Sequence, residues 1–253
     1  MSGSVIWMNT KNRYKILNTF VDNIEHKDLN RKIIRASDLN EKIIVGNLNI
    51  NAANLCYENT ALKDFNNKAK IIFCDGSGIS LACFLLGYKP VPKKITYNTW
   101  FPSLLKQCEK NKKKVFVLGS SKKVNNQSLE LFEKNYPKLE LKGHHGFFNK
   151  NGEENDRIIE EINKFKPDIL AVGLGMPLQE KWILENFDRI DTHVFLNGGA
   201  FLEWLSGNQY QSPQFISNIG FEWLWRLILS PKKLYKRYLI GNFLFFYRIF
   251  SNK

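Results

Sequence analysis

Short apolar runs recur along this chain. Each is followed by a glycine-bearing turn and then by apolar positions three and four apart. Residues 42–46, 71–74, 113–119, 139–142, 169–172 and 193–196 predict strands. Runs this uniformly apolar suit parallel strands covered on both faces rather than half-wet antiparallel ones. Helices are predicted from about 52 to 67, over 79–86, over 123–136 (where Pro137 ends the run), over 154–165, and after Pro177. Residues 14–41 mix polar and apolar positions and predict a small strand and a helix, with Asp28 or Asn30 as its cap. Strand, glycine turn and helix in repetition imply an α/β, Rossmann-like fold: a mostly parallel sheet with helices on both faces and right-handed crossovers.

The pattern changes near Ser212-Pro213. Beyond it Glu222-Trp223-Leu224-Trp225-Arg226-Leu227 is amphipathic, Pro231 starts another helix, and Leu234, Tyr238, Phe245 and Ile249 fall near one stripe, with Phe243 and Phe246 beside it. The expected organisation is a core over 1–211 and a basic, aromatic helical appendage over 212–253. The appendage either packs on the core or lies at a membrane surface.

Charge narrows the partners. There are 37 Lys and Arg against 24 Asp and Glu, a formal charge of +13 in 253 residues, which favours an anionic partner. No recognised nucleic-acid module accompanies that charge, so phosphorylated small molecules and anionic lipid are favoured over nucleic acid. Cys56, Cys74, Cys83 and Cys108 form no CxxC pair, and the pattern suits reduced core thiols. Residues 1–14 lack the apolar run of a signal peptide, and no run approaches the roughly 20 residues of a membrane span, so a soluble or peripheral protein is expected.

The candidate chemistry sits where strands end, because ligands of open α/β sheets bind outside the strands' carboxyl ends. Gly173-Leu174-Gly175-Met176-Pro177 joins an apolar strand to a helix whose first turn holds Gln179 and Glu180, a natural anion site. Asp75-Gly76-Ser77-Gly78 places a carboxylate at a second strand end, as a helix cap or as a catalytic base. Asn47, Asn49 and Asn51 alternate at a third, where carboxamides cap a helix or bind sugar hydroxyls. Gly119, Gly146 and Asn197 mark three further ends. His144 and His145 are adjacent and point apart on regular backbone, so contact with nucleotide or solvent is favoured over metal. Neither GxGxxG nor GxxxxGK[ST] occurs.

Taken together, these residues resemble the WecG/TagA/CpsF family of bacterial glycosyltransferases from about Tyr14 to the C-terminal helices. The family's Asp-Gly-x-Gly is intact at 75–78, and its Gly-x-Pro-x-Gln-Glu-x-Trp is intact at 175–182. Glu-Trp-Leu-x-Arg-Leu stands at 222–227, followed by Lys236-Arg237-Tyr238. Thr-x-Asn corresponds to Asn47-Leu48-Asn49 or Asn49-Ile50-Asn51, with asparagine for threonine. Two departures are Thr96-Tyr97-Asn98-Thr99 where the family often has Thr-Gly-x-Asp, and Gln211-Ser212-Pro213 where it has Arg-Ala-Pro.

The resemblance implies inverting transfer of a sugar (N-acetylmannosamine, its uronic acid or a related hexose) from a UDP donor to a polyprenyl-diphosphate-linked sugar. Such enzymes build cell-surface polysaccharide or teichoic-acid-type polymers at the inner face of the cell membrane. It makes Asp75 the candidate base. Asn47, Asn49, Asn51, Gly76, Gly78, Gly119, Gly146, Gly175, Gln179, Glu180 and Asn197 become candidate donor- and acceptor-binding positions, and Arg226 and Arg237 candidates for the diphosphate and the membrane. No metal or cofactor is implied beyond the UDP-sugar as substrate, and self-association stays open. Two other classes compete: a nicotinamide-dependent oxidoreductase on a doubly wound sheet, and a non-catalytic membrane-surface module.

Overall fold

A computed structural model describes residues 12–58, 60–208, 213, 216 and 220–251. Eight strands form one sheet in the order β1-β2-β4-β3-β8-β7-β5-β6. They are β1 (Arg13–Ile16), β2 (Thr19–Asp22), β3 (Ile43–Leu48), β4 (Ile71–Cys74), β5 (Val115–Gly119), β6 (Leu141–His144), β7 (Ile169–Gly173) and β8 (Val194–Asn197). Only the β1–β2 pair is antiparallel. The parallel strands and their predicted positions agree with the sequence pattern. The segment before Glu41 differs: it holds a hairpin, β1 and β2, where one strand was expected. Its helix α1 (His26–Asp38) starts after Glu25 with no side-chain cap, neither Asp28 nor Asn30 serving as one. Asn30 instead lies inside that helix, buried, and accepts a 2.7 Å hydrogen bond from Trp100 Nε1.

The two faces of the sheet carry separate cores. In β3, Ile44 and Leu48 join one cluster while Ile43 and Val45 join the other, as the strand's period of two requires. One face is covered by α2 (Ile50–Glu58), α3 (Thr60–Lys68), α4 (Ser77–Leu85), α7 (Glu153–Phe165) and α8 (Leu178–Asn186). The other is covered by α1, α5 (Tyr97–Lys110), α6 (Lys122–Asn135) and α9 (Phe201–Leu205). All four cysteines are free and buried, and burial pushes the Cys56 thiol up to about 12, as suits packing rather than redox work.

The expected domain boundary at 211/212 falls outside the described residues. Beyond it come α10 (Glu222–Leu229), α11 (Pro231–Tyr235), a π-helical stretch (Lys236–Ile240) and α12 (Gly241–Ser251). The expected stripe packs inward, with Tyr238, Phe245 and Ile249 buried, while Phe243 beside it is 76% exposed. Phe245 and Ile249 belong to the core cluster that contains α2. Asn54 Nδ2 donates to the Gly241 carbonyl at 2.7 Å, and Arg248 Nη1 donates to Asn54 Oδ1 at 3.0 Å. Among the described residues no helix is long and apolar enough to cross a membrane.

Candidate functional site

The parallel register decides which strand ends meet. Leu48 pairs with Cys74, so the next residues along, Asn49 and Asp75, emerge side by side at the carboxyl end of the sheet. Asn49 serves both neighbours: its Oδ1 accepts from the Ala52 amide at 3.0 Å, capping α2, and its Nδ2 donates to Asp75 Oδ2 at 3.1 Å. Asp75 caps nothing. The residue before α4 is Gly76, in a left-handed conformation (φ 102°) that glycine adopts at little cost, and no side chain caps that helix. The first amides of α4 therefore face a cleft of about 920 Å³ that Asp75, Asn47, Asn49, Asn51, Gly76 and Gly78 all line.

The opposite wall comes from the C-terminal helices. Arg226 lies over the Trp204 ring at 4.2 Å and pairs with Glu222, and Arg237 and Tyr238 stand beside it. The Nε atoms of Arg226 and Arg237 are buried without a hydrogen-bond partner among the described residues. Lys94 reaches the same cleft, 3.9 Å from Glu222. Burial lifts the Asp75 carboxyl above its usual range. The Asn49 bond and the nearby Arg226 and Arg237 oppose that shift, and Glu222 adds to it. A half-buried carboxylate with raised proton affinity, aimed into a cleft beside two arginines, can accept a proton and has anion-binding groups within reach.

Behind this cleft lies a buried polar bracket. Gln179 is fully buried, and its Oε1 accepts from the Gly175 amide at 3.2 Å and the Gly199 amide at 2.9 Å. Its Nε2 donates to Glu180 Oε1 at 2.7 Å, and Asn197 Nδ2 donates to the same oxygen at 2.8 Å. Asn197 Oδ1 accepts from the Asn47 amide, tying β8 to β3. The sequence placed Gln179, Glu180 and Asn197 against ligand. The structure places all three side chains behind the wall, outside the cleft lining: Gln179 holds the glycine turns, while Glu180 and Asn197 brace Gln179, with Glu180 Oε2 buried and without a hydrogen-bond partner among the described residues. Burial also raises the Glu180 carboxyl, with the Asn197 and Gln179 bonds opposing.

Gly175, with φ 83°, lines both this cleft and a second one of about 660 Å³ over the ends of β5, β6 and β7. Gly119 belongs to packing: a Cβ there would lie 2.4 Å from the Gly173 carbonyl oxygen. Gly146 lines the second cleft, with Ser120, Phe147 and Glu203. Ser120 Oγ and Glu203 Oε2 are buried without a hydrogen-bond partner among the described residues, and Phe147 is 75% exposed. The His144 and His145 rings lie 4.2 Å apart, with His144 also edge-on to Phe148, and among the described residues no three His, Cys, Asp or Glu side chains gather as a metal site would need.

The site thus contains residues the motifs did not reveal. Lys94 sits in an irregular stretch after Pro92, without periodicity to mark it, and Trp204 reads as one more core aromatic until Arg226 is found on its face. Glu222 was visible within a motif but not as the partner of that arginine. Thr96 and Asn98, in the segment lacking the family's acid, do line the cleft; Gln211 and Ser212 lie outside the described residues.

Comparisons with known proteins place the chain among sequence relatives. The model of the family described as "Glycosyl transferase WecG/TagA/CpsF family" matches residues 14–253. Two curated relatives, from Staphylococcus aureus strains MRSA252 and NCTC 8325 / PS 47, are each 26% identical over 205 residues, covering 81% of this chain and 79% of theirs. Both bear the name N-acetylglucosaminyldiphosphoundecaprenol N-acetyl-beta-D-mannosaminyltransferase.

Proposed function

The chain belongs to the WecG/TagA/CpsF family of glycosyl transferases, and from that premise we propose that it moves N-acetylmannosamine or a related hexose from a UDP donor to a polyprenyl-diphosphate-linked sugar. The observation that carries this reading is Asp75, a half-buried carboxylate of raised proton affinity lining a sugar-sized cleft with Arg226 and Arg237. Asp75 takes the proton of the acceptor hydroxyl as that oxygen attacks the anomeric carbon. The bond to UDP breaks on the opposite face, so the configuration inverts. The charge growing on the departing diphosphate falls to Arg226, Arg237 and the uncapped amides of α4. The donor's nucleoside suits the second cleft, where Ser120 Oγ and Glu203 Oε2 await hydroxyl or amide partners and Phe147 offers an exposed ring. Both clefts share Gly175, Gly199 and Ala200, which leaves a path for the diphosphate between them.

The deciding assay follows UDP release from a panel of UDP-sugars with a polyprenyl-diphosphate-linked N-acetylglucosamine. Release that requires the acceptor is expected from at least one donor; acceptor-independent hydrolysis, or none from any donor, defeats the proposal. Arg226 gives a sharper test. Its guanidinium lies over the Trp204 ring at 4.2 Å, a delocalised contact that lysine's point charge cannot reproduce. Arg226→Lys should therefore lower kcat by about 100-fold, the scale of losing one charge-stabilising group. Recovery of normal turnover with lysine would show that any cation suffices.

The same reading places the protein peripherally on a membrane that presents the lipid acceptor. Phe243, Tyr247 and Phe250 recur at helical spacing on α12 and are 76%, 60% and 55% exposed. Such a stripe suits the interfacial region of a bilayer, and the exposed Lys232 and Lys236 of the preceding helical segments suit anionic headgroups. Changing all three to serine should remove most binding to vesicles rich in anionic lipid in a sedimentation assay, with UDP-sugar binding intact. Unchanged sedimentation would assign the stripe elsewhere.

A further inference from the structure

Helix α4 has an outward face that the fold does not explain. It is the run Ser77-Gly78-Ile79-Ser80-Leu81-Ala82-Cys83-Phe84-Leu85, without a charged residue. Ile79, Ala82 and Cys83 pack into the core, yet Leu81 is 47% and Phe84 63% exposed. They are three apart and so share one face of the helix. A solvated helix face ordinarily carries polar side chains, and two large apolar ones here point to contact with something apolar.

Position along α4 indicates what that is. The helix begins two residues after Asp75, and with a rise of about 1.5 Å per residue Leu81 lies about 6 Å and Phe84 about 10 Å along the axis from its first residue. Leu81 lines the same cleft as Asp75 while remaining half exposed, so it stands at the rim. Across from it, Leu239 lines the cleft and is 55% exposed. One cleft therefore presents a carboxylate, the cation Lys94 besides the two arginines given to the departing diphosphate, and an apolar rim at Leu81 and Leu239 that α4 continues to Phe84. A lipid-linked sugar carries the matching three kinds of group: hydroxyl, diphosphate and hydrocarbon.

We propose that Leu81 and Phe84 of α4, with Leu239 opposite, form a groove that holds the first isoprene units of the acceptor, so that the enzyme recognises the chain itself and not only the sugar diphosphate. This rests on the acceptor class proposed above, and it goes further in assigning a tail subsite to the α/β core. Contacts to a chain remote from the reacting atoms are the same in ground and transition states, so they act through KM and leave kcat alone.

The test compares wild type with the Leu81→Gln, Phe84→Gln double variant, whose half-exposed positions tolerate polar side chains. Two acceptors carrying the same sugar diphosphate are used in one detergent, one on a long polyprenyl chain and one on a single prenyl unit. The variant should show about a tenfold higher KM for the long-chain acceptor, the order of effect of a few lost apolar contacts, with kcat unchanged. Its kinetics on the short acceptor should match wild type. Equal losses on both acceptors, or none on the long one, would overturn the groove. Sedimentation with anionic vesicles should be unaffected by the double change. A drop there without the KM difference would make the face a bilayer contact instead, and would also overturn the groove. If wild type transfers sugar to neither acceptor, the acceptor class itself fails, an outcome distinct from these.

Discussion

Asp75→Asn should lower turnover about a thousandfold, the range spanned by loss of a general base, while the protein still folds and binds UDP-sugar. Asparagine keeps the shape of the side chain and can still accept the Asn49 Nδ2 bond, so the cleft is preserved and only proton transfer is removed. Two accompanying results distinguish a base from a structural carboxylate. Burial raises the Asp75 carboxyl in the folded protein, so its ionised form is disfavoured there relative to the unfolded chain. A raised pKa contributes stability that is present at low pH and lost as pH rises through the folded value. At neutral pH, then, the neutral asparagine should raise the melting temperature while removing most of the activity, the trade-off expected of a group held for chemistry. The wild-type rate should also fall on the acid side at a higher pH than an ordinary aspartate would give, and the variant's residual rate should lack that limb. Turnover near wild type, or a melting temperature clearly lowered at neutral pH, would remove Asp75 from the role.

Asp75 was legible in the sequence, and its neighbours less so, because the positions carry different kinds of information. The strand-end placement of Asp75 and of Asn49 comes from local pattern: an apolar run must end, and the residues just past its end face the crevice. The pattern likewise located the core parallel strands and helices α4, α6, α7 and α8, since a two-faced core demands uninterrupted apolar strands, but it gave one helix where α2 and α3 stand and none for α5 or α9. The hairpin β1–β2 was missed because its strands are four residues each with mixed polarity, and their pairing is decided by Arg13 Nε holding Asp22 at 2.7 Å and Asp22 accepting from the Ile72 amide. Neither contact has a local signature. Arg226 was recognisable as a motif residue, but its seat on Trp204 joins positions 22 apart in sequence, and Lys94 joins the site only because the chain after Pro92 runs beside α4, where Ser80 donates to the Pro92 carbonyl at 2.7 Å. The motif around Gln179 was also conspicuous, but a motif marks a constrained position without telling whether ligand or backbone imposes the constraint.

Gln179 separates those two causes experimentally. If it binds substrate, Gln179→Ala keeps the melting temperature and raises KM. The structure predicts the reverse: the part-buried Gly175 and Gly199 amides lose their acceptor, Glu180 loses a donor, and the domain is destabilised by about 1–3 kcal/mol, the scale of hydrogen bonds lost at a partly buried site. Both glycines line the cleft, so activity should fall with the fold rather than by a selective effect on either substrate. Gln179→Glu is the more discriminating change. Its Oε1 can still accept both amides, but its second oxygen then faces Glu180 Oε1, where the amide nitrogen now lies at 2.7 Å. Two buried carboxyls at that separation must share a proton, so the pair's proton affinity is raised in the folded state above that of ordinary glutamates. By linkage the variant should approach wild-type stability in acid and lose it progressively as pH rises past the usual glutamate range. Thermal melts across pH read this directly: a pH-independent melting temperature for Gln179→Glu, together with a raised KM for UDP-sugar, would return Gln179 to the ligand side of the wall.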